Sequence, residues 1–164
     1  MSKKTTYIIL TIAILAITGM YFYNKYNVAP SIDVSKLTVV DENDQKFDIA
    51  SLKGKKVILS FYASWCPPCR EELKTLAKIR DQKLAGYEIL AITDENLEKL
   101  TEFKTKTQYP FTFLTLTKVF SDIGINSIPT TYLLNAKGEI VYKNVGFIDW
   151  EDESTFQHLI SLME

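Results

Sequence analysis

The chain has 164 residues, with 19 basic against 20 acidic side chains, one histidine and a net charge of −1, so nothing in its charge points to nucleic acid. Its two cysteines are too few for a disulfide scaffold, and with the single His158 they cannot complete a four-ligand Cys/His zinc site. A hydrophobic content of 46% suffices for one packed domain plus a short additional segment.

The additional segment comes first. Ser2-Lys3-Lys4 is basic, Tyr7 to Tyr23 carries no charge, and Ile8 to Ile17 is nearly all aliphatic. As a helix this run covers roughly 25 Å, the short end of a bilayer span. Tyr7, Tyr21, Tyr23 and Tyr26 flank it, where amphipathic rings favour the interface. Lys3 and Lys4 precede the run and Lys25 follows it, which places the N-terminus in the cytoplasm. A cleaved signal peptide fits less well, because Thr18-Gly19-Met20 is a poor cleavage site. A buried core helix would show one apolar stripe, whereas here every face is apolar. The expected organisation is a cytoplasmic N-terminus over 1–6, a transmembrane anchor over 7–23, a linker over 24–36 and a folded extracytoplasmic domain over 37–164. Beyond Lys25, sixteen basic residues stand against twenty acidic ones, so the domain is not drawn to anionic lipid.

Leu37 to Val40 and Lys46 to Ile49 read as two strands joined by the turn Asp41-Glu42-Asn43-Asp44. Val57 to Tyr62 is a continuous apolar run, expected as a central strand covered on both faces. It leads into Trp65-Cys66-Pro67-Pro68-Cys69, and a helical pattern from Arg70 to about Leu84 follows. Two intervening residues put both sulfurs on the first turn of a helix, within disulfide reach. The partial positive charge of a helix N-terminus lowers a cysteine pKa from about 8.5 towards neutrality. Cys66, at the exposed start of the helix, is the expected attacking thiolate, and Cys69, one turn inside, the resolving thiol. Arg70 lies four residues after Cys66 on the same helical face, positioned to favour that thiolate.

Tyr87 to Thr93 is the next strand. Thr93 or Asp94 is expected to cap a helix from about Glu95 to Thr107, which Tyr109-Pro110 ends. Phe111 to Leu116 is extended, Lys118 to Ile123 a short helix and Gly124 its cap. Thr131 to Leu134, the turn Asn135-Ala136-Lys137-Gly138 and Glu139 to Lys143 form a hairpin. Asp149 is expected to cap a last helix from Trp150 to Met163. Phe103, Phe111, Phe113 and Phe120 are expected in the core and His158 in a structural role.

Two motifs in this order resemble one family. Trp65-Cys66-Pro67-Pro68-Cys69 after a strand looks like a thioredoxin active site, and Ile128-Pro129-Thr130 before the hairpin looks like the thioredoxin cis-proline loop. Gly54-Lys55-Lys56-Val57, Arg70-Glu71-Glu72-Leu73 and the long segment from Tyr87 to Ser127 resemble the TlpA/ResA-type branch of membrane-tethered thiol–disulfide oxidoreductases. The resemblance implies an α/β thioredoxin-like fold, a central mixed sheet flanked by helices, with an N-terminal hairpin and a single N-terminal transmembrane helix. It implies Cys66 and Cys69 as a redox pair needing no cofactor, a cis bond before Pro129, and Trp65, Pro67, Pro68 and Ile128 at the surface that receives substrate. Glu72 matches a glutamate beside the cysteines in that branch and is the candidate to move the proton of Cys69. Ser60 stands where thioredoxin itself has a buried acid, and a serine cannot serve as that base. Pro68 before Cys69 resembles reducing thioredoxins, which implies a reductase. Implied partners are protein disulfides, apocytochrome c among them, and a membrane thiol donor.

The rival reading takes Cys66 and Cys69 as soft ligands of a copper-delivery module. It lacks a nearby His or Met, since Met20 lies in the anchor and Met163 in the last turn. A purely structural disulfide is disfavoured because so small a loop adds little chain-entropy stabilisation.

Overall fold

Strand β3 (Lys56–Phe61) shows how the core divides. Side chains alternate across a strand. Val57, Leu59 and Phe61 enter one apolar cluster, while Ile58 and the following Tyr62 enter the other. The computed structural model describes residues 3–164; Met1 and Ser2, the start of the expected cytoplasmic segment, lie outside the described residues. Around β3 the strands β1 (Val39–Val40), β2 (Lys46–Phe47), β4 (Tyr87–Thr93), β5 (Thr112–Leu116), β6 (Thr130–Leu134) and β7 (Ile140–Val145) build a seven-stranded sheet ordered β2-β1-β5-β4-β3-β6-β7. The pairs β3–β4 and β4–β5 are parallel, while β3–β6, β6–β7, β1–β5 and β1–β2 are antiparallel. This is the expected mixed sheet with an N-terminal hairpin.

Helices α2 (Pro67–Lys83), α3 (Leu97–Thr107) and α4 (Glu153–Ser161) all pack on one face, contributing Leu73, Leu76, Leu100, Phe103, Phe156 and Leu159 to a single cluster. The other face is covered by loops and the short 3-10 helices Val34–Lys36, Ile49–Leu52 and Phe120–Ile123. Ala29, Ile49, Phe120 and Ile125 are buried there, with Ile32, Val34 and Leu37 packed against them. Residues 29–37, expected within or beside a linker, therefore lie against the sheet. Tyr132 Oη donates to the Pro30 carbonyl at 3.0 Å, and Lys143 Nζ to Ser31 Oγ at 3.3 Å. Gly124, with φ +83°, sits so close to Pro30 that a Cβ would meet the proline ring carbon at 3.4 Å. All four expected core phenylalanines are buried.

Two helix starts differ from expectation. α3 begins at Leu97 with Asn96 as its cap, its side chain accepting from Lys99 N–H. The nearer candidates are engaged elsewhere: Thr93 closes β4, and Asp94 accepts the Phe120 N–H at 3.0 Å. α4 begins at Glu153 with Asp152, not Asp149, as its cap. Asp149 instead closes a local turn by accepting Glu151 N–H at 3.0 Å, which drops Trp150 fully into the core before the helix begins. α2 begins at Pro67, earlier than the periodic apolar pattern that starts beyond Arg70.

Helix α1 (Lys3–Asn27) is long and apolar enough to cross a membrane, and none of its side chains is buried. Near its C-terminal end Tyr21, Asn24 and Lys25 share a surface hollow with Gly124 and Asn126.

Candidate functional site

The redox motif occupies the junction of β3 and α2. Cys66 is the N-cap of α2, with Pro67 and Pro68 opening the helix. Proline fits these positions because its missing N–H falls where no intrahelical partner exists. The first backbone N–H the helix offers is therefore that of Cys69, and it donates to Cys66 Sγ at 3.3 Å. The sequence thus leaves one donor aimed at one sulfur, at the positive end of the helix.

Cys66 and Cys69 are joined in a disulfide with an S–S distance of 2.06 Å. The expected contrast in exposure is almost absent. Cys66 is 3% and Cys69 0% exposed, because the loop before Pro129 closes over the first sulfur. Cys66 Sγ lies 4.0 Å from the Ile128 carbonyl oxygen. The Ile128–Pro129 bond is cis and Pro129 is buried. The Ile128 backbone pairs with no other backbone group among the described residues. Trp65 is 70% exposed beside the sulfurs, and Pro67 and Pro68 are exposed as well. Arg70 is exposed, and among the described residues its guanidinium bonds to neither cysteine; only its backbone N–H reaches the Cys66 carbonyl.

Glu72 is completely buried on the inner face of α2. Its Oε1 accepts Thr131 Oγ1–H at 2.6 Å and Ser60 Oγ–H at 3.3 Å, while Oε2 accepts the Ile148 N–H at 2.9 Å. Ser60 and Thr131 are direct partners in the β3–β6 register, so one carboxylate oxygen bridges two strands. Burial pushes the Glu72 carboxyl up to about 7, outweighing the hydrogen bonds from Thr131, Ile148 and Ser60 that favour its charged form. A carboxyl that titrates near neutrality is suited to take a proton and return it.

Sequence reading found Glu72 but not its partners. Their signal was a polar side chain at a core-facing strand position, Ser60 within Val57–Phe61 and Thr131 before Tyr132, since buried polar groups are paired. Glu95 was also missed. Its carboxylate accepts Ser64 N–H at 2.5 Å and Ser64 Oγ–H at 2.8 Å, fastening the redox loop to the end of β4. Among the described residues no group of three or more His, Cys, Asp or Glu is placed to hold a metal ion.

Solved proteins share this fold, and other proteins are similar in sequence. Residues 26–160 match the Redoxin family. Thioredoxin-like protein YneN of Bacillus subtilis (strain 168) is 32% identical over 162 residues, covering 89% of this chain and 92% of YneN. Thiol-disulfide oxidoreductase ResA of the same organism is 28% identical over 153 residues, covering 86% of each chain. The crystal structure of StoA from Bacillus subtilis superimposes with a TM-score of 0.58 at 25% identity, covering 83% of this chain and 98% of StoA. A thiol:disulfide interchange protein from Chlorobium tepidum TLS gives a TM-score of 0.63 at 21% identity over 83% of this chain and 99% of its own, a likeness of fold. With a family match that takes in the sheet, the disulfide and the cis-proline loop together, this chain belongs to the Redoxin family.

Proposed function

We propose that this protein is a membrane-anchored reductase of protein disulfides that works outside the cytoplasm. Its family and its relatives make it a thiol–disulfide oxidoreductase of thioredoxin-like fold. The observation that carries the proposal is the Cys66–Cys69 disulfide at the start of α2, facing the Ile128 carbonyl.

In the reducing direction the dithiol form acts. The Cys66 thiolate, favoured by the Cys69 N–H and the helix terminus, attacks one sulfur of a client disulfide. The client's other sulfur leaves as a thiolate and takes a proton. Cys69 then gives its proton to Glu72 and attacks Cys66 Sγ, expelling the second client thiolate. Two electrons pass to the client, and Cys66–Cys69 is left oxidised, as in this structure. Ile128 offers its backbone, unpaired with any other backbone group among the described residues, to the client chain, and Trp65, Pro67 and Pro68 border it. A membrane thiol donor restores the dithiol. Apocytochrome c, which presents a cysteine pair to be kept reduced for haem attachment, is the proposed client. The anchor is the span over 7–23 within α1, with 1–6 in the cytoplasm, and the chain from Ala29 onward, packed on the sheet, belongs to the catalytic domain.

Clients are to be trapped with Cys69→Ala, which strands the mixed disulfide on Cys66. Covalent adducts that form with Cys69→Ala and not with Cys66→Ala support the order of attack, and the opposite pattern overturns it. A measured potential near that of strong disulfide-forming enzymes, about −120 mV, excludes the reducing direction.

A further inference from the structure

Beside the redox loop lies a cleft of about 340 Å³, lined in part by Trp65, Arg70, Phe103, Lys106 and Tyr109. Its volume is at the small end of ligand-sized pockets. Phe103 is part of the core, so the apolar floor is fixed, whereas Trp65 stands 70% exposed at the rim.

The charges around the cleft are not equally free. Glu95 is held in place by the N–H and Oγ–H of Ser64, neutral donors that leave its negative charge in the cleft. Glu102 is paired with Lys99, which bonds its Oε2 at 2.8 Å, and also feels the charge of Lys106 one helical turn on. Arg70 and Lys106, both exposed, enter no ion pair among the described residues. The lining holds three cations, Arg70, Lys99 and Lys106, against two carboxylates, Glu95 and Glu102, so the charge at this one place is positive, although beyond Lys25 the chain carries four more acidic than basic residues. A local field opposite in sign to the net charge selects by position rather than by bulk attraction.

We propose that this cleft receives an acidic, extended segment of the client protein next to the disulfide being reduced. Trp65 covers the segment, and Arg70 and Lys106 pair with its carboxylates. The proposal rests on the exchange activity given above and adds to it a preference among clients.

The test uses the full-length chain in detergent micelles, pre-reduced at the Cys66–Cys69 pair. Its substrates are two synthetic peptides, each with one disulfide flanked by Asp residues or by Lys residues, and uncharged hydroxyethyl disulfide. The readout is the ratio of the second-order rate constants for the two peptides within each variant, so any change in intrinsic thiol reactivity cancels. The wild type is expected to favour the Asp peptide about tenfold at low salt, with the ratio falling towards one at about 1 M salt. Lys106→Glu is expected to bring the low-salt ratio close to one. A wild-type ratio of one, or a ratio that Lys106→Glu leaves unaltered, overturns the proposal. If hydroxyethyl disulfide is reduced in that case, the exchange reading stands and the cleft alone fails. If no disulfide is reduced, the exchange reading fails and the cleft falls with it.

Discussion

Glu72 is the side chain whose environment says most about its chemistry. In an unfolded chain it titrates near 4.5, whereas burial in the fold pushes it up to about 7. Between these values the folded state holds the proton more tightly than the unfolded state. The contribution of this one group to stability is therefore full below about 4.5 and is lost as pH rises towards about 7. The full loss is on the order of 3 kcal/mol for a shift of this size. Glu72→Gln should flatten that part of the stability–pH curve, as measured by urea unfolding at several pH values. The same substitution removes the proposed proton acceptor of Cys69. It should slow the resolving step about 100-fold at pH 7, with loss of the inflection near neutrality in stopped-flow kinetics. Tyr62 gives the opposite kind of expectation. Its ring is buried between Phe103 and Phe113, but its hydroxyl has no hydrogen-bond partner among the described residues. Tyr62→Phe removes an unpaired polar atom without leaving a partner stranded, and should raise stability by about 1 kcal/mol in the same unfolding experiment.

At the scale of elements, strands and the redox helix were legible where one signal dominated. The run Tyr87–Thr93 is β4 residue for residue, because an apolar run bounded by Gly86 and polar Asp94 has one plausible reading. Helix starts were less legible because polar residues cluster before α3 and α4, and any of them satisfies the local rule for a cap. What selected among them was tertiary. Asp94 is drawn off by Phe120 N–H, and the burial of Trp150 delays α4 until Asp152. Asp152→Ala should lower Tm by about 3 °C, whereas Asp149→Ala should change it by less, as read by thermal circular dichroism. The candidate site divides in the same way. Cys66, Cys69 and Pro129 stand in motifs and were visible. Thr131, Ile148 and Glu95 act through contacts between residues 31 to 76 positions apart, which no local pattern displays.

For the whole molecule, an apolar helix that buries nothing against its own domain has its partner elsewhere, and the proposed partner is the bilayer. The full-length chain should sediment with membranes and resist alkaline carbonate extraction, and a chain lacking 1–27 should be soluble. An externally added protease should reach the catalytic domain in intact protoplasts if that domain faces outward.

The packing of residues 29–37 on the sheet also limits how far the catalytic domain can roam. Only Val28 separates the end of α1 from the buried Ala29, so there is almost no slack between anchor and domain. With α1 in the bilayer, the disulfide travels at a nearly constant height above the lipid, and its encounters take place within a thin layer. Partners held at that height meet it at high effective concentration; those held farther out must come to it. Ten Gly/Ser residues inserted after Val28 would replace the layer with a loose hemisphere. Exchange with a membrane-embedded donor should then slow several-fold while reduction of a soluble disulfide keeps its rate.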